Sequence, residues 1–286
     1  MGVERKDLGR VIYEKEGAIA RIIMNWPEKA NAHDSKMVWA LDAALKEADR
    51  DYDIKVVIIK ANGKGFCAGH AMGASPLETY PEFAEGEAHT GIHHKGSADL
   101  FLWPVLYLWE FRKPTIAQVH GYAVGAGSYW AMLPDITICS EDAYFQMPLP
   151  QAMGFPTGET MIEPWIFMNA KRTAEYMFQS KTLTAAQAME WGAVNQVVKK
   201  EDLEATVEAI ARNIARAPLT TLMFTKTLIK RAWELMGMRN HLQMSTDLLA
   251  LAGQASDVRS HMMRMREASA MPREALLKQA EKEAGG

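Results

Sequence analysis

The stretch Lys113–Pro134, KPTIAQVHGYAVGAGSYWAMLP, constrains the fold of this chain more than any other. Pro114 stops whatever precedes it, and Thr115, Ile116, Ala117 and Val119 supply a short apolar strand. Gly121, Gly125 and Gly127 follow, and Ser128–Leu133 then runs without Gly or Pro. The order is strand, tight glycine turn, buried helix. Such a turn can aim backbone N–H groups, with a helix dipole behind them, at an anion or a developing negative charge. Glycines in this pattern also let a helix pack closely on a sheet, so the string alone leaves both uses open.

A second stretch narrows the choice. Val56–Ile59 is a continuous β-branched strand, followed by Lys60–Gly65 and then Phe66-Cys67-Ala68-Gly69-His70. Together the two stretches resemble the crotonase (enoyl-CoA hydratase/isomerase) superfamily, whose pattern is F-C-A-G-A-D and then K-P-x-I-A-x-V-N-G-x-A-x-G-G-G. Asn25–Ala32, Asp135-Ile136, Ala143–Phe145 and Gly192–Val198 match further family strings in the same order. The likeness spans roughly residues 8–235.

A hydrophobic content of 48% and a charged content of 23% are those of an ordinary globular protein. A net charge of −3 does not suggest a nucleic-acid or membrane-surface partner. The charged start MGVERKDLGR has no apolar signal core, and Leu100–Leu108 is too short to span a bilayer, so a cytoplasmic protein is expected. Cys67 and Cys139 lie in apolar surroundings and read as reduced core thiols.

In chain order, Val11–Tyr13 and Ala18–Met24 read as a hairpin, and a helix is expected from Ser35 to Arg50, capped by Asn31 or by His33-Asp34. A parallel crossover then leads to Val56–Ile59. Residues 71–99 are a long unpatterned loop with His89, His93 and His94, which read as loop or pocket-lining histidines rather than metal ligands. Asp99–Phe111 is an apolar helix oddly interrupted by Pro104. Gln146–Pro150 should be extended, and Gly158–Asn169 and Lys171–Ser180 helical. Thr184 caps Ala185–Trp191, Val194–Val198 is the last strand, and the rest is helical (Glu201–Arg216, Leu219–Met236, Asn240–Ala252, Asp257–Ala268) up to a Lys/Glu-rich tail. The reading is α/β: a core of residues 1–199 and a helical C-terminal region, 200–286. The resemblance implies that the core is a crotonase-like spiral of ββα turns and that the helical region covers the site and mediates trimerisation.

The resemblance also implies an acyl-CoA thioester whose carbonyl oxygen is polarised by the N–H groups of His70 and Ala126. Each such donor contributes roughly 2.7–4 kcal/mol. The coenzyme A would be part of the substrate rather than a separate cofactor. Its cleft would be formed by Lys29, Ala30, Ala32, Ala68, Gly69, Ala71, Met72 and Gly125, with Lys29 near the pyrophosphate. No metal is implied. The usual hydratase glutamates fall on Tyr129 and on Leu149 (or Pro150), so neither is a carboxylate. Glu159 is then the first candidate acid/base and His70 the second, with Tyr129 and Glu163 behind them. Three functions follow: a lyase or isomerase of the enoyl-CoA hydratase/isomerase type, as in fatty acid metabolism; a hydrolase of a C–C bond in a β-oxoacyl-CoA or cyclic ketone; and a catalytically silent acyl-CoA-binding protein. A homotrimer or dimer of trimers is expected from the resemblance and the Met-rich C-terminal third.

Overall fold

The computed structural model describes residues 2–71, 94–96, 98–158 and 160–270. Strands β1 (Glu4–Asp7), β2 (Val11–Glu16) and β3 (Ile19–Met24) form an antiparallel meander. Helix α1 (Ser35–Arg50) crosses over to β4 (Val56–Ala61), which lies parallel to β3. A π-helical turn (Ala98–Leu102) leads into α2 (Trp103–Glu110), followed by β5 (Thr115–Val119), β6 (Tyr122–Val124) and α3 (Ala126–Met132). Next come β7 (Ile136–Ser140), β8 (Tyr144–Gln146), α4 (Leu149–Ala152), α5 (Glu163–Phe167), α6 (Ala170–Phe178), β9 (Leu183–Thr184), α7 (Ala185–Glu190) and β10 (Gln196–Val198). Four helices end the described chain: α8 (Leu203–Ala215), α9 (Leu219–Leu235), α10 (Met238–Ala252) and α11 (Ser256–Ala270).

The large sheet has the order β1-β2-β3-β4-β5-β7-β10, parallel from β3 onward, and β6-β8-β9 form a small second sheet. Side chains alternate between faces along each strand. Val57 and Ile59 of β4 therefore join the main core with Met37, Leu41 and Leu45 of α1, while Val56 and Ile58 pack with Leu203 and Val207 of α8 on the other face. Burial on both faces is why β4 reads as an unbroken apolar run. The Asp34 carboxylate caps α1 by accepting from Met37 N at 2.8 Å, which settles the choice of cap.

Several expected elements differ. Pro104 does not interrupt a helix: it is the second residue of α2, where its missing N–H costs nothing. Gln146–Pro150 is not all extended, because Leu149 and Pro150 open the short α4. The helix expected over Gly158–Asn169 shrinks to Glu163–Phe167, with Pro164 again in the first turn and Met168 left-handed at its end. β1 escapes the sequence pattern because all four of its residues are exposed and charged on the sheet edge. Among the described residues no helix is long and apolar enough to cross a membrane.

The C-terminal helices are tied to the core by polar contacts. Lys226 and Lys230 of α9 reach Asp135 at 2.6 and 3.1 Å, and α10 and α11 pack over the loops that follow α4 and precede α5.

Candidate active site

Three extended segments lie side by side at the ends of the sheet strands. Residues 30–33 pair with 68–71: Ala68 N donates to Ala30 O (3.0 Å), His33 N to Gly69 O (2.8 Å) and Ala71 N to His33 O (3.0 Å). On the far side of the same segment, Cys67 N donates to Tyr122 O (3.0 Å) and Val124 N to Cys67 O (2.9 Å). Both contacts are parallel bridges, His33 with His70 and Cys67 with Ala123. In a parallel bridge the neighbours of a residue make the bonds, so the N–H of His70 points away from His33, toward the segment that ends in Ala126. Beyond the Cys67–Ala123 bridge the two segments stay close, and a Cβ on Gly69, the residue before His70, would lie 3.7 Å from Ala126 N. Ala126 is the first residue of α3, whose N–H has no partner within the helix.

Two glycines make this approach possible. Gly69 has φ +98°, and a Cβ there would lie 3.0 Å from Val124 O and 3.7 Å from Ala126 N. Gly125 has φ +55°, and a Cβ there would lie 3.6 Å from Gly69 Cα. Ala126 is not among the residues with positive φ, so its Cβ does not restrict the turn. Asn31 holds the third segment: its side chain accepts from Trp26 N (2.8 Å) and donates to Asn62 O (2.8 Å). Ala30 and Asn31 are both left-handed there, and Lys29, just before them, is exposed.

The titratable groups divide sharply. The His70 ring packs edge-on against Phe101 with centroids 4.1 Å apart, and the His33 ring lies 6.2 Å away. His33 is buried, and burial with the neighbouring His70 pushes it down to about 3, so it stays neutral. Burial pushes the Cys67 thiol up to about 12, which excludes it as a nucleophile at neutral pH. Tyr129 is buried, with its hydroxyl against Gly158 and 3.9 Å from Met147 Sδ. It forms part of the wall beside the glycine turn.

The structure therefore brings together His70, Ala126, Gly125, Gly69, Ala68, Ala71, Ala30 and Ala32, with Lys29 at the rim and Tyr129 in the wall. Glu159, Met72, His89 and His93 lie outside the described residues, and His94 contacts Asp247 at 2.8 Å. Sequence reasoning missed the burial of His33 and placed Glu163 only behind Glu159 and His70; Glu163 is buried, as are Thr157, Thr160 and Tyr176. Burial pushes the Glu163 carboxyl up to about 7.

The family model described as Enoyl-CoA hydratase/isomerase matches residues 14–272. The chain is 29% identical over 254 residues to 1,2-epoxyphenylacetyl-CoA isomerase of Escherichia coli K12, covering 87% of this chain and 92% of that protein. It is 28% identical to 4-chlorobenzoyl coenzyme A dehalogenase-2 of an Arthrobacter species, covering 72% of each. Its fold superposes on the crystal structure of an enoyl-CoA hydratase/isomerase from Xanthobacter autotrophicus Py2 with a TM-score of 0.76 at 27% identity, over 92% of this chain and 99% of that one. The glycine turns, the spiral core and these matches agree: the chain belongs to the enoyl-CoA hydratase/isomerase family.

Proposed function

We propose that this protein is an enzyme that holds the carbonyl oxygen of an acyl-CoA thioester between the N–H groups of His70 and Ala126, and that it does not run hydration on a glutamate pair. The observation that supports this reading is the close approach of Gly69, just before His70, to the start of α3: a Cβ there would lie 3.7 Å from Ala126 N, with Gly69 and Gly125 both at positive φ. Two donors aimed at one point stabilise an enolate or a tetrahedral adduct by roughly 2.7–4 kcal/mol each. The relatives named for an isomerase and a dehalogenase of CoA thioesters support thioester chemistry. The wall position of Tyr129 and the apolar Leu149 speak against hydration, because neither can hold an attacking water as a carboxylate does.

The CoA moiety would lie along Lys29, Ala30, Ala32, Ala68, Gly69, Ala71, Met72 and Gly125. Proton transfer would fall to Glu159, with the His70 ring as second candidate. Calorimetry with acetyl-CoA and crotonyl-CoA tests the first step, with micromolar binding expected, roughly −8 kcal/mol. Absence of heat and of saturation would remove the reading. Product mass across a panel of CoA esters then separates isomerisation from hydration and from C–C bond hydrolysis of a β-oxoacyl-CoA; binding without turnover would mark a silent acyl-CoA binder. A homotrimer or dimer of trimers is part of the same proposal. Phe224, Leu228, Ile229, Leu235 and Met236 of α9 and the turn after it are exposed apolar surface. Light scattering that gives 31.9 kDa would exclude it.

A further inference from the structure

His33 and His70 leave adjacent extended segments as partners of a parallel bridge, so their side chains stand on the same face, with backbones about 4.8 Å apart. The two rings meet edge to face with centroids 6.2 Å apart. Trp130 lies 5.9 Å from His33, and Phe101 lies 4.1 Å from His70, each again edge to face. Trp130 is one helical turn beyond Ala126 in α3, on the same side of that helix. Four rings therefore gather beside the two proposed donors.

Within this group His33 has an unused polar atom. Its Nε2 lies 3.5 Å from Met24 Sδ. A thioether sulfur has no proton to give, so Nε2 carries the hydrogen and donates. Burial pushes the ring down to about 3, so it is neutral at neutral pH and has a single N–H. Nδ1 is thus a bare acceptor. It belongs to a residue only 1% exposed and has no hydrogen-bond partner among the described residues. Asn31, the other buried polar side chain of this segment, is by contrast fully used: it accepts from Trp26 N and donates to Asn62 O and Gly65 O. An unmet acceptor in apolar surroundings is costly, so a ligand that brings it a donor gains more there than in water.

We propose that His33 is a specificity-determining residue: its Nδ1 accepts a hydrogen bond from a hydroxyl on the acyl part of the CoA ester, and the rings of His70, Phe101 and Trp130 select an aromatic acyl group to carry it. The substrate class is a hydroxyaryl-acyl-CoA. The inference rests on the reading that the thioester oxygen lies between the N–H groups of His70 and Ala126. An acyl group held there has the His70 imidazole at its side, because the donor N–H and the ring belong to one residue. Edge-to-face walls favour a flat π system over a flexible alkyl chain. Phe101, partly exposed and carried by the π turn Ala98–Leu102, is the wall that swings aside to admit it. The donor is a hydroxyl and not an ammonium group: the side chains that contact His33 are Met24, His70 and Trp130, none of them anionic. The hydroxyl is bound and not transformed, so no bond to it forms or breaks.

The test compares, by calorimetry, benzoyl-CoA, its three ring-hydroxylated isomers and heptanoyl-CoA, an alkyl ester of the same carbon count, with acetyl-CoA as the reference for the thioester site. Benzoyl-CoA should bind more tightly than heptanoyl-CoA. One hydroxy isomer should bind roughly tenfold to a hundredfold more tightly than benzoyl-CoA, the worth of filling one buried acceptor. In His33→Phe, which keeps a ring and removes the acceptor, that ratio should collapse whatever the absolute affinities. A purely structural role for His33 would weaken all the esters alike and leave the ratio in place. A second readout uses the unaltered protein and decides the matter if His33→Phe does not fold. With ¹⁵N-labelled histidine, the His33 Nδ1 resonance should move upfield when the preferred isomer binds and move less with benzoyl-CoA. Tighter binding of heptanoyl-CoA than of benzoyl-CoA, no preference for any hydroxy isomer, a preference that survives in His33→Phe, or an unmoved Nδ1 resonance overturns the inference, while binding of acetyl-CoA keeps the thioester site in place. Failure of every ester to bind, acetyl-CoA included, overturns both.

Discussion

Gly69→Ala perturbs the proposed donor pair at its hinge. Gly69 sits at φ +98°, and the added Cβ would come 3.0 Å from Val124 O and 3.7 Å from Ala126 N. Val124 is held by its own bond to Cys67 O, so the movement falls on the 69–70 peptide, which carries the His70 N–H. Backbone strain of this kind costs about 1–3 kcal/mol of stability. Loss of one oxyanion donor costs about 2.7–4 kcal/mol in the transition state, or about 10²–10³ in kcat. Gly192→Ala is the matched control: its φ is +82°, and a Cβ there meets nothing within 4 Å. Urea unfolding should show comparable destabilisation in the two variants, whereas steady-state turnover of a CoA-ester substrate should fall about a hundredfold only in Gly69→Ala. Equal loss of turnover in both variants, or near-normal turnover in Gly69→Ala, would refute the reasoning.

Crotonyl-CoA hydration by the unaltered protein should be slow or absent; brisk hydration would show that groups other than a glutamate pair hold the water. Glu159→Gln should bind CoA esters normally and lose about 10²–10⁴ in turnover of the true substrate, and full turnover would pass the role to His70. Glu163→Gln should change how stability depends on pH. A carboxyl raised from 4.5 to about 7 keeps its proton in the folded protein where the unfolded chain has lost it, so stability falls as pH rises through that window. Removing the titration should make the variant about 3 kcal/mol more stable, relative to the unaltered protein, at pH 8 than at pH 4, read from urea midpoints; an effect that is the same at both pH values would contradict the burial argument. Asp135→Asn leaves Lys226 and Lys230 without their counter-charge, although Thr115 N can still donate to the side chain. It should cost about 3–5 kcal/mol, and a loss near zero would mean that the lysines find other partners.

The parts of the fold that were legible share one property: their local pattern and their tertiary role agree. Val56–Ile59 reads as a buried strand because both its faces are covered, and Gly121 and Gly125 read as turn residues, each at positive φ; Gly127, read into the same turn, is instead the second residue of α3. A Cβ at Gly127 would lie 2.4 Å from Cys67 O. What was illegible depends on distant packing. Glu163 stands in an Ile-Glu-Pro-Trp string that resembles an exposed helix start, yet it is fully buried in a short helix whose Trp165 is held by His241 of α10. His33 offered itself as part of a cap, yet its ring is buried beside Met24 Sδ at 3.5 Å and Trp130 at 5.9 Å. β6 is three residues between glycines, and its partner β8 lies more than 20 residues on, so nothing local announces it.

The same dependence on distant packing places the C-terminal helices within the logic of the site. α10 touches both segments that flank it. Asp247 contacts His94, ahead of the π turn whose Phe101 packs on His70, and Ser245 Oγ accepts from Met161 N while His241 accepts from Trp165 Nε1. α11 adds His261 against Gln151 O at 2.8 Å, over the turn at Gly154. One helix of this chain therefore spans from the His70 side to the loop that carries Thr157, Thr160 and Glu163. Since no cation among the described residues pairs with Glu163, its burial is maintained by packing and not by charge pairing. Loosening α10 would admit water to Glu163, return its carboxyl toward the ordinary range and ionise it at neutral pH.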